Sequence, residues 1–153
     1  MDLKTNIENK YKEAIKAKNT DEVNALRLIK SAIKDKEIAI RTSEKLNEIG
    51  ELEILSLLQT LIKQRKDSID SFQKASRDDL IAIEKKEIDI ISQFLPKQLN
   101  EADTEKIIDE IITLKKLASI KDMGNLMNEL KSNYAGSIDM ALAGKIAKSK
   151  FVN

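Results

Sequence analysis

Apolar residues recur along this chain every three or four positions, with charged residues between them, which is the pattern of amphipathic helices. Over residues 3–18 the stripe is Leu3, Ile7, Tyr11, Ala14 and Ile15. Asn19, with Glu22 three residues on, or Thr20 is placed to cap a second helix over about 21–41, whose apolar face carries Leu26, Leu28, Ile29, Ala32, Ile33 and Ile40. Periodicity fades over 43–50, and Gly50 reads as a break. A third helix over about 51–75 lines up Ile54, Leu57, Leu58, Leu61, Ile62, Ile69 and Phe72. Ser76-Arg77-Asp78-Asp79 then forms a turn, with Ser76 as the expected N-cap, and a fourth helix runs to Leu95. So short a connection makes the third and fourth helices an antiparallel hairpin.

Pro96 is the only proline. A proline lacks the backbone N–H and biases the residue before it away from helical angles, so a helix arriving at Leu95 stops there. The stretch 94–99 therefore reads as a hinge between two domains, 1–95 and 96–153. Beyond it, Asn100 is a candidate N-cap for a helix over 101–114 with Ile107, Ile108, Ile111 and Ile112 inward. Ser119 caps a short helix bearing Ile120, Met123, Leu126, Met127 and Leu130; a turn with Gly136 follows, then a last helix over about 138–150. No stretch reads as a strand. The expected fold is all-α, an N-terminal bundle of about four helices followed by a three-helix C-terminal domain.

Some charges fall on apolar faces. Glu84 and Glu87 lie within the fourth helix's apolar arc of Leu80, Ile83, Ile88, Ile91, Phe94 and Leu95, and Arg65 lies in the middle of the third helix's arc. An unpaired charge is not left buried, because desolvation opposes it by several kcal/mol. Counted outward from Ser76, Arg65 and Glu87 are equidistant, which places them level across the hairpin. An Arg65–Glu87 ion pair with Glu84 nearby is expected. Two carboxylates one turn apart on a bundle helix also suit acid–base chemistry or metal ligation, but the carboxylate-bridged metal proteins with that arrangement add His from facing helices.

Composition narrows the chemistry. The 153 residues contain neither Cys nor His, which removes disulfides, thiol nucleophiles, Cys- or His-based zinc sites and the usual general base. No catalytic residue, cofactor or metal site is expected. The longest apolar runs fall far short of a membrane span and the start has no apolar signal core, so a cytoplasmic protein without membrane contact is the expectation. With 27 Lys and Arg against 26 Asp and Glu, any polyanion must be met by a local patch. Two candidates arise: a ridge of Arg27, Lys30, Lys34 and Arg41 opposite the second helix's apolar face, and the C-terminal lysines Lys121, Lys131, Lys145 and Lys148. An ordinary solvated face is the simpler reading of both, and lysines near helix C-termini suit the helix dipole with no partner.

Leu26-Arg27-Leu28-Ile29-Lys30-Ser31-Ala32-Ile33-Lys34 resembles the first signature of the GatB/YqeY domain family, and Lys63-Gln64-Arg65-Lys66-Asp67-Ser68 its second. Glu84-Lys85-Lys86-Glu87-Ile88, leading into Phe94-Leu95-Pro96-Lys97-Gln98-Leu99, resembles the third, and Lys121-Asp122-Met123-Gly124-Asn125-Leu126-Met127 the C-terminal motif. The likeness covers nearly the whole chain, in order. It implies an all-helical protein whose C-terminal part is similar to the tail of the B subunit of the tRNA-dependent amidotransferase, which uses glutamine to amidate mischarged Glu-tRNA or Asp-tRNA. That tail helps recognise the tRNA, while a separate domain performs the chemistry. The resemblance thus implies a non-catalytic module associated with tRNA or a tRNA-amidotransferase complex. A helical protein–protein adaptor is the alternative reading. The carbon–nitrogen ligase label (glutamine as amido donor) that the standalone family carries finds no supporting residue constellation. Many relatives have a basic segment before the last helix, where this chain reads Asn133-Tyr134-Ala135-Gly136-Ser137-Ile138-Asp139. The expected RNA contacts move accordingly to Lys121, Lys131, Lys145 and Lys148.

Overall fold

A computed structural model describes residues 2–41 and 49–151. The protein is all-α: among the described residues there are seven α-helices, one 3-10 turn and no strand. They are α1 (Leu3–Lys16), α2 (Thr20–Ala39), α3 (Glu51–Lys74), α4 (Asp78–Ser92), α5 (Glu101–Lys115), the 3-10 turn Ile120–Asp122, α6 (Met123–Asn133) and α7 (Met140–Phe151). Their contacts cluster into two compact units, 1–95 and 96–153.

In the first unit, Asn19 caps α2: its Oδ1 accepts from the Glu22 backbone N–H and its Nδ2 donates to the Glu22 carboxylate. The ion pairs Lys4–Glu37 and Lys30–Glu8 lay α1 antiparallel along α2. The largely aperiodic stretch expected at 43–50 lies outside the described residues except for Ile49, which is buried, and Gly50, which precedes α3. Ser76 is not the cap of α4. It adopts the left-handed conformation (φ 55°) that closes the end of α3, and Arg77 stands at the N-cap position without a side-chain cap bond. Arg77 instead holds Asp79 through two hydrogen bonds, and Asp78 and Asp79 occupy the positive end of α4.

The core of this unit joins Leu3, Ile7 and Ala14 of α1, Leu26, Ile29 and Ile33 of α2, Ile54 and Leu58 of α3, and Ile91 with Phe94 at the end of α4. Four positions expected on apolar faces depart from the pattern. Ile15, Leu28 (44% exposed) and Ile83 (54%) face solvent, as does Ile120 in the second unit. Ile81 and Ile90 are buried in their stead on α4. That helix packs against both α2 and α3, so its covered band is broader than the arc one neighbour would bury. Regular helix ends at Ser92, ahead of Pro96.

In the second unit, Asn100 caps α5 by accepting from the Asp103 backbone N–H, and Thr104, fully buried, donates its hydroxyl to the Asn100 carbonyl. Ser119 and Asp122 form a reciprocal capping box at the 3-10 turn, and Asp139 accepts from the Ala141 and Leu142 N–H groups at the start of α7. The core is Ile108 and Ile111 of α5, Leu126 and Leu130 of α6, Ile138, and Ala143 with Ala147 of α7. Small residues let α7 lie close: Met127 Cε of α6 is 3.9 Å from where a Cβ on Gly144 would sit. Gly136 takes φ 78°, which suits glycine, and its carbonyl accepts from Gln98 Nε2 while the Leu99 N–H donates to the Ser137 carbonyl. Lys18, Ser76 and Lys116 are the described non-glycine residues with positive φ, each at the end of a helix.

These packing differences predict an asymmetry between two leucines. Leu58→Ala, which empties a fully buried site, should cost about 2–5 kcal/mol in urea unfolding. Leu28→Ala should cost under about 1 kcal/mol despite sharing the same apolar periodicity.

Candidate nucleic-acid interface

The basic ridge on α2 is only partly available. Lys30 is drawn inward: its Nζ pairs with Glu8 at 3.0 Å and lies 4.1 Å from the Tyr11 ring centroid, a cation–π contact. Arg27 and Lys34 are exposed and make no ion pair among the described residues.

Arg65 of α3 donates from Nε to Glu87 Oε2 of α4 at 2.7 Å and from Nη1 to the Leu61 carbonyl at 2.9 Å. The two side chains are 11% and 22% exposed, so the pair is largely withdrawn from water. Glu84 lies one turn earlier on α4. Its carboxyl is pushed above the usual range by burial and by the Glu87 charge, against a smaller opposing pull from Arg65. The guanidinium thus bonds Glu87 directly and acts on Glu84 through charge alone. The cluster is a fastening between α3 and α4.

In the second unit, Lys121, Lys131, Lys145 and Lys148 are all exposed and, among the described residues, carry no ion pair. Lys145 and Lys148 stand on α7 away from the Ala143 and Ala147 face that packs inward. Two neighbouring lysines are engaged. Lys115 Nζ donates to Glu129 at 2.8 Å, and Lys150 spans from α7 to Glu105 and Asp109 of α5. The 133–139 segment, which lacks a basic residue, is held by its bonds to Gln98 and Leu99.

An open groove of about 370 Å³ lies where the end of α5 passes α6, lined by Lys115, Leu117, Asn125, Asn128, Glu129 and Ser132. Charge and apolar periodicity did not mark Asn125, Asn128 and Ser132, because they are neutral. Their spacing of three and four, on the face of α6 opposite Leu126 and Leu130, is the signal that could have found them. Among the described residues, no three acidic side chains gather into a metal-sized cluster, and no helix is long and apolar enough to cross a membrane.

Both units are all-α among the described residues, and the second carries the exposed lysines and the polar groove. The chain belongs to the Yqey-like protein family, whose model matches residues 4–151. It is 40% identical over 84 residues to "Altered inheritance of mitochondria protein 41, mitochondrial" of Saccharomyces cerevisiae, a match covering 55% of this chain and 43% of that protein. The proteins of the same name from Clavispora lusitaniae and Lachancea thermotolerans are 33% identical over 129 residues and 32% identical over 115 residues. Those matches cover 82% and 74% of this chain, and 72% and 59% of the relatives. The chain thus spans less than half the length of the S. cerevisiae relative. The expectation of a cytoplasmic protein is corrected by these relatives, which are named as mitochondrial. The physical reason is that mitochondrial targeting segments are amphipathic and Arg-rich, so the lack of an apolar signal core bears on secretion alone.

Arg65→Met should destabilise the first unit by about 2–3 kcal/mol, since it leaves the withdrawn Glu87 carboxylate without its cation. Arg65→Met with Glu87→Leu should recover most of that loss in chemical denaturation. Glu84 also sets a pH trend. Its proton is held more tightly in the folded chain, so stability falls as pH rises from the ordinary carboxylate range through the raised folded value. Glu84→Gln should therefore be more stable than the unaltered chain at neutral pH, with the difference vanishing in acid, as followed by thermal melts across pH.

Proposed function

We propose that this protein is a non-catalytic helical module that binds tRNA, or a tRNA-bearing complex linked to glutamine-dependent tRNA amidation, through its second unit. The observation that carries the reading is the division of labour among the lysines. Lys115 and Lys150 are consumed by internal pairs, whereas Lys121, Lys131, Lys145 and Lys148 are presented to solvent without one among the described residues. Cations left unneutralised on a scaffold of net charge +1 suit a phosphate backbone, which rewards each contact by releasing counterions. The resemblance of this half to the amidotransferase tail supports tRNA as the polyanion. Arg27 and Lys34 offer a secondary contact in the first unit, and Lys30 a weaker one because Glu8 and Tyr11 already hold it.

A mobility-shift series with total tRNA at rising salt tests the reading. Binding should weaken steeply with salt, and Lys145→Ala with Lys148→Ala should lower the slope of log affinity against log salt by about one per lysine, without unfolding the unit. Absence of any shift at low salt would leave a protein–protein adaptor as the better account.

A further inference from the structure

The groove between α5 and α6 has a chemistry distinct from the lysines around it. Asn125, Asn128 and Ser132 are exposed, and among the described residues their side-chain polar groups have no hydrogen-bond partner. Each asparagine amide therefore presents a donor and an acceptor side by side. Glu129 is less available: Oε2 accepts from Lys115 at 2.8 Å and Oε1 from Asn133 at 2.7 Å, and the Lys115 bond holds its carboxyl below the usual range. Half-buried Leu117 supplies an apolar wall. Exposed cations stand close to the lining residues in sequence: Lys116 between Lys115 and Leu117, Lys121 four positions before Asn125, and Lys131 next to Ser132.

We infer that this groove is a base-reading subsite, in which Asn125 and Asn128 hydrogen-bond an unstacked adenine of a single-stranded RNA segment whose flanking phosphates lie on Lys116, Lys121 and Lys131. The inference rests on the RNA-binding reading above and deepens it. Adenine is chosen on chemical grounds. A single amide matches the N6 donor and N7 acceptor on the outer edge of adenine, an edge on which guanine shows two acceptors, cytosine only a donor and uracil only an acceptor. Guanine is read by an arginine, a lysine or an open carboxylate, yet the groove has no arginine, its lining lysine, Lys115, is held by Glu129, and each oxygen of that carboxylate already accepts a bond. A volume of about 370 Å³ admits one base with its sugar, and the open mouth leaves the strand free to enter and leave.

Fluorescence anisotropy of the full chain with labelled oligoadenylate, oligouridylate and oligocytidylate of equal length tests it. Oligoadenylate should bind about tenfold tighter than the pyrimidine strands. Asn125→Ala with Asn128→Ala, checked for retained helicity by circular dichroism, should erase that preference and leave the salt slope unchanged. Lys145→Ala with Lys148→Ala should keep the preference and flatten the slope. A strand carrying purine in place of adenine lacks the N6 amine, and with the unaltered protein it should bind like the pyrimidine strands whatever the fate of the variants. RNA binding with no adenine preference, or a preference that survives the asparagine replacements or the loss of N6, would overturn the subsite alone. No binding of any strand or of tRNA at low salt would overturn the RNA reading together with it.

Discussion

Arg65 constrains how α3 and α4 pair in the first unit. A guanidinium set amid an apolar helix face is tolerable only where an opposing carboxylate arrives at the same height, and the two-helix turn at Ser76-Arg77 delivers Glu87 there. Sliding α4 by one turn along α3 would separate the pair and leave both charges desolvated. The register it enforces is the one that buries Leu58, Ile91 and Phe94 in a common core. Leu61, which gives its carbonyl to the same guanidinium, ties that register to the backbone of α3 as well as to a side chain. Apolar packing alone is non-directional and tolerates slippage; a fixed donor geometry does not.

The second unit is organised differently. Its core is small, and its helices approach through Ala143, Gly144 and Ala147 with Met127 filling the remaining space. Rigidity comes from caps at Asn100, Ser119 and Asp139 and from the Lys115 and Lys150 bridges. The exposed lysines stand on helices anchored in this way, and a charge fixed on a rigid helix loses little further freedom when it meets a polyanion. The groove lies on the same unit, with its lysine and glutamate paired to each other, so attraction and discrimination would be carried by different side chains.

Much of this architecture is visible in the residue pattern, for reasons that are local. Caps at Asn19, Asn100 and Ser119 depend on partners three positions away, and helical periodicity needs no knowledge of the partner surface. What escapes is whatever depends on neighbours. Leu28 and Ile83 satisfy the helical period yet stay exposed, because an apolar arc does not tell which of its margins another helix will cover. Ser76 has the chemistry of a cap, but the preceding helix claims it for a left-handed ending. Lys30 reads as part of a ridge until Glu8 and Tyr11 of α1 are brought beside it. Asn125 and Asn128 carry no charge and no apolar period, so beyond their shared helix face only the groove made by two helices singles them out. The compartment was misread because one absent address excludes one route and no other.

The helix endings at Lys18, Ser76 and Lys116 carry a consequence for how the chain can evolve. Each holds an ordinary L-residue where the backbone favours glycine, at a cost of about 1–2 kcal/mol per position. Two of the three are lysines, whose positive heads sit beside the negative ends of the helix dipoles and recover part of that cost. Latent thermal tolerance is therefore stored in the connectors rather than the cores. A lineage moving to hotter surroundings could draw on it by glycine at Lys18 or Ser76, leaving every packed side chain and the groove with its lysines as they stand.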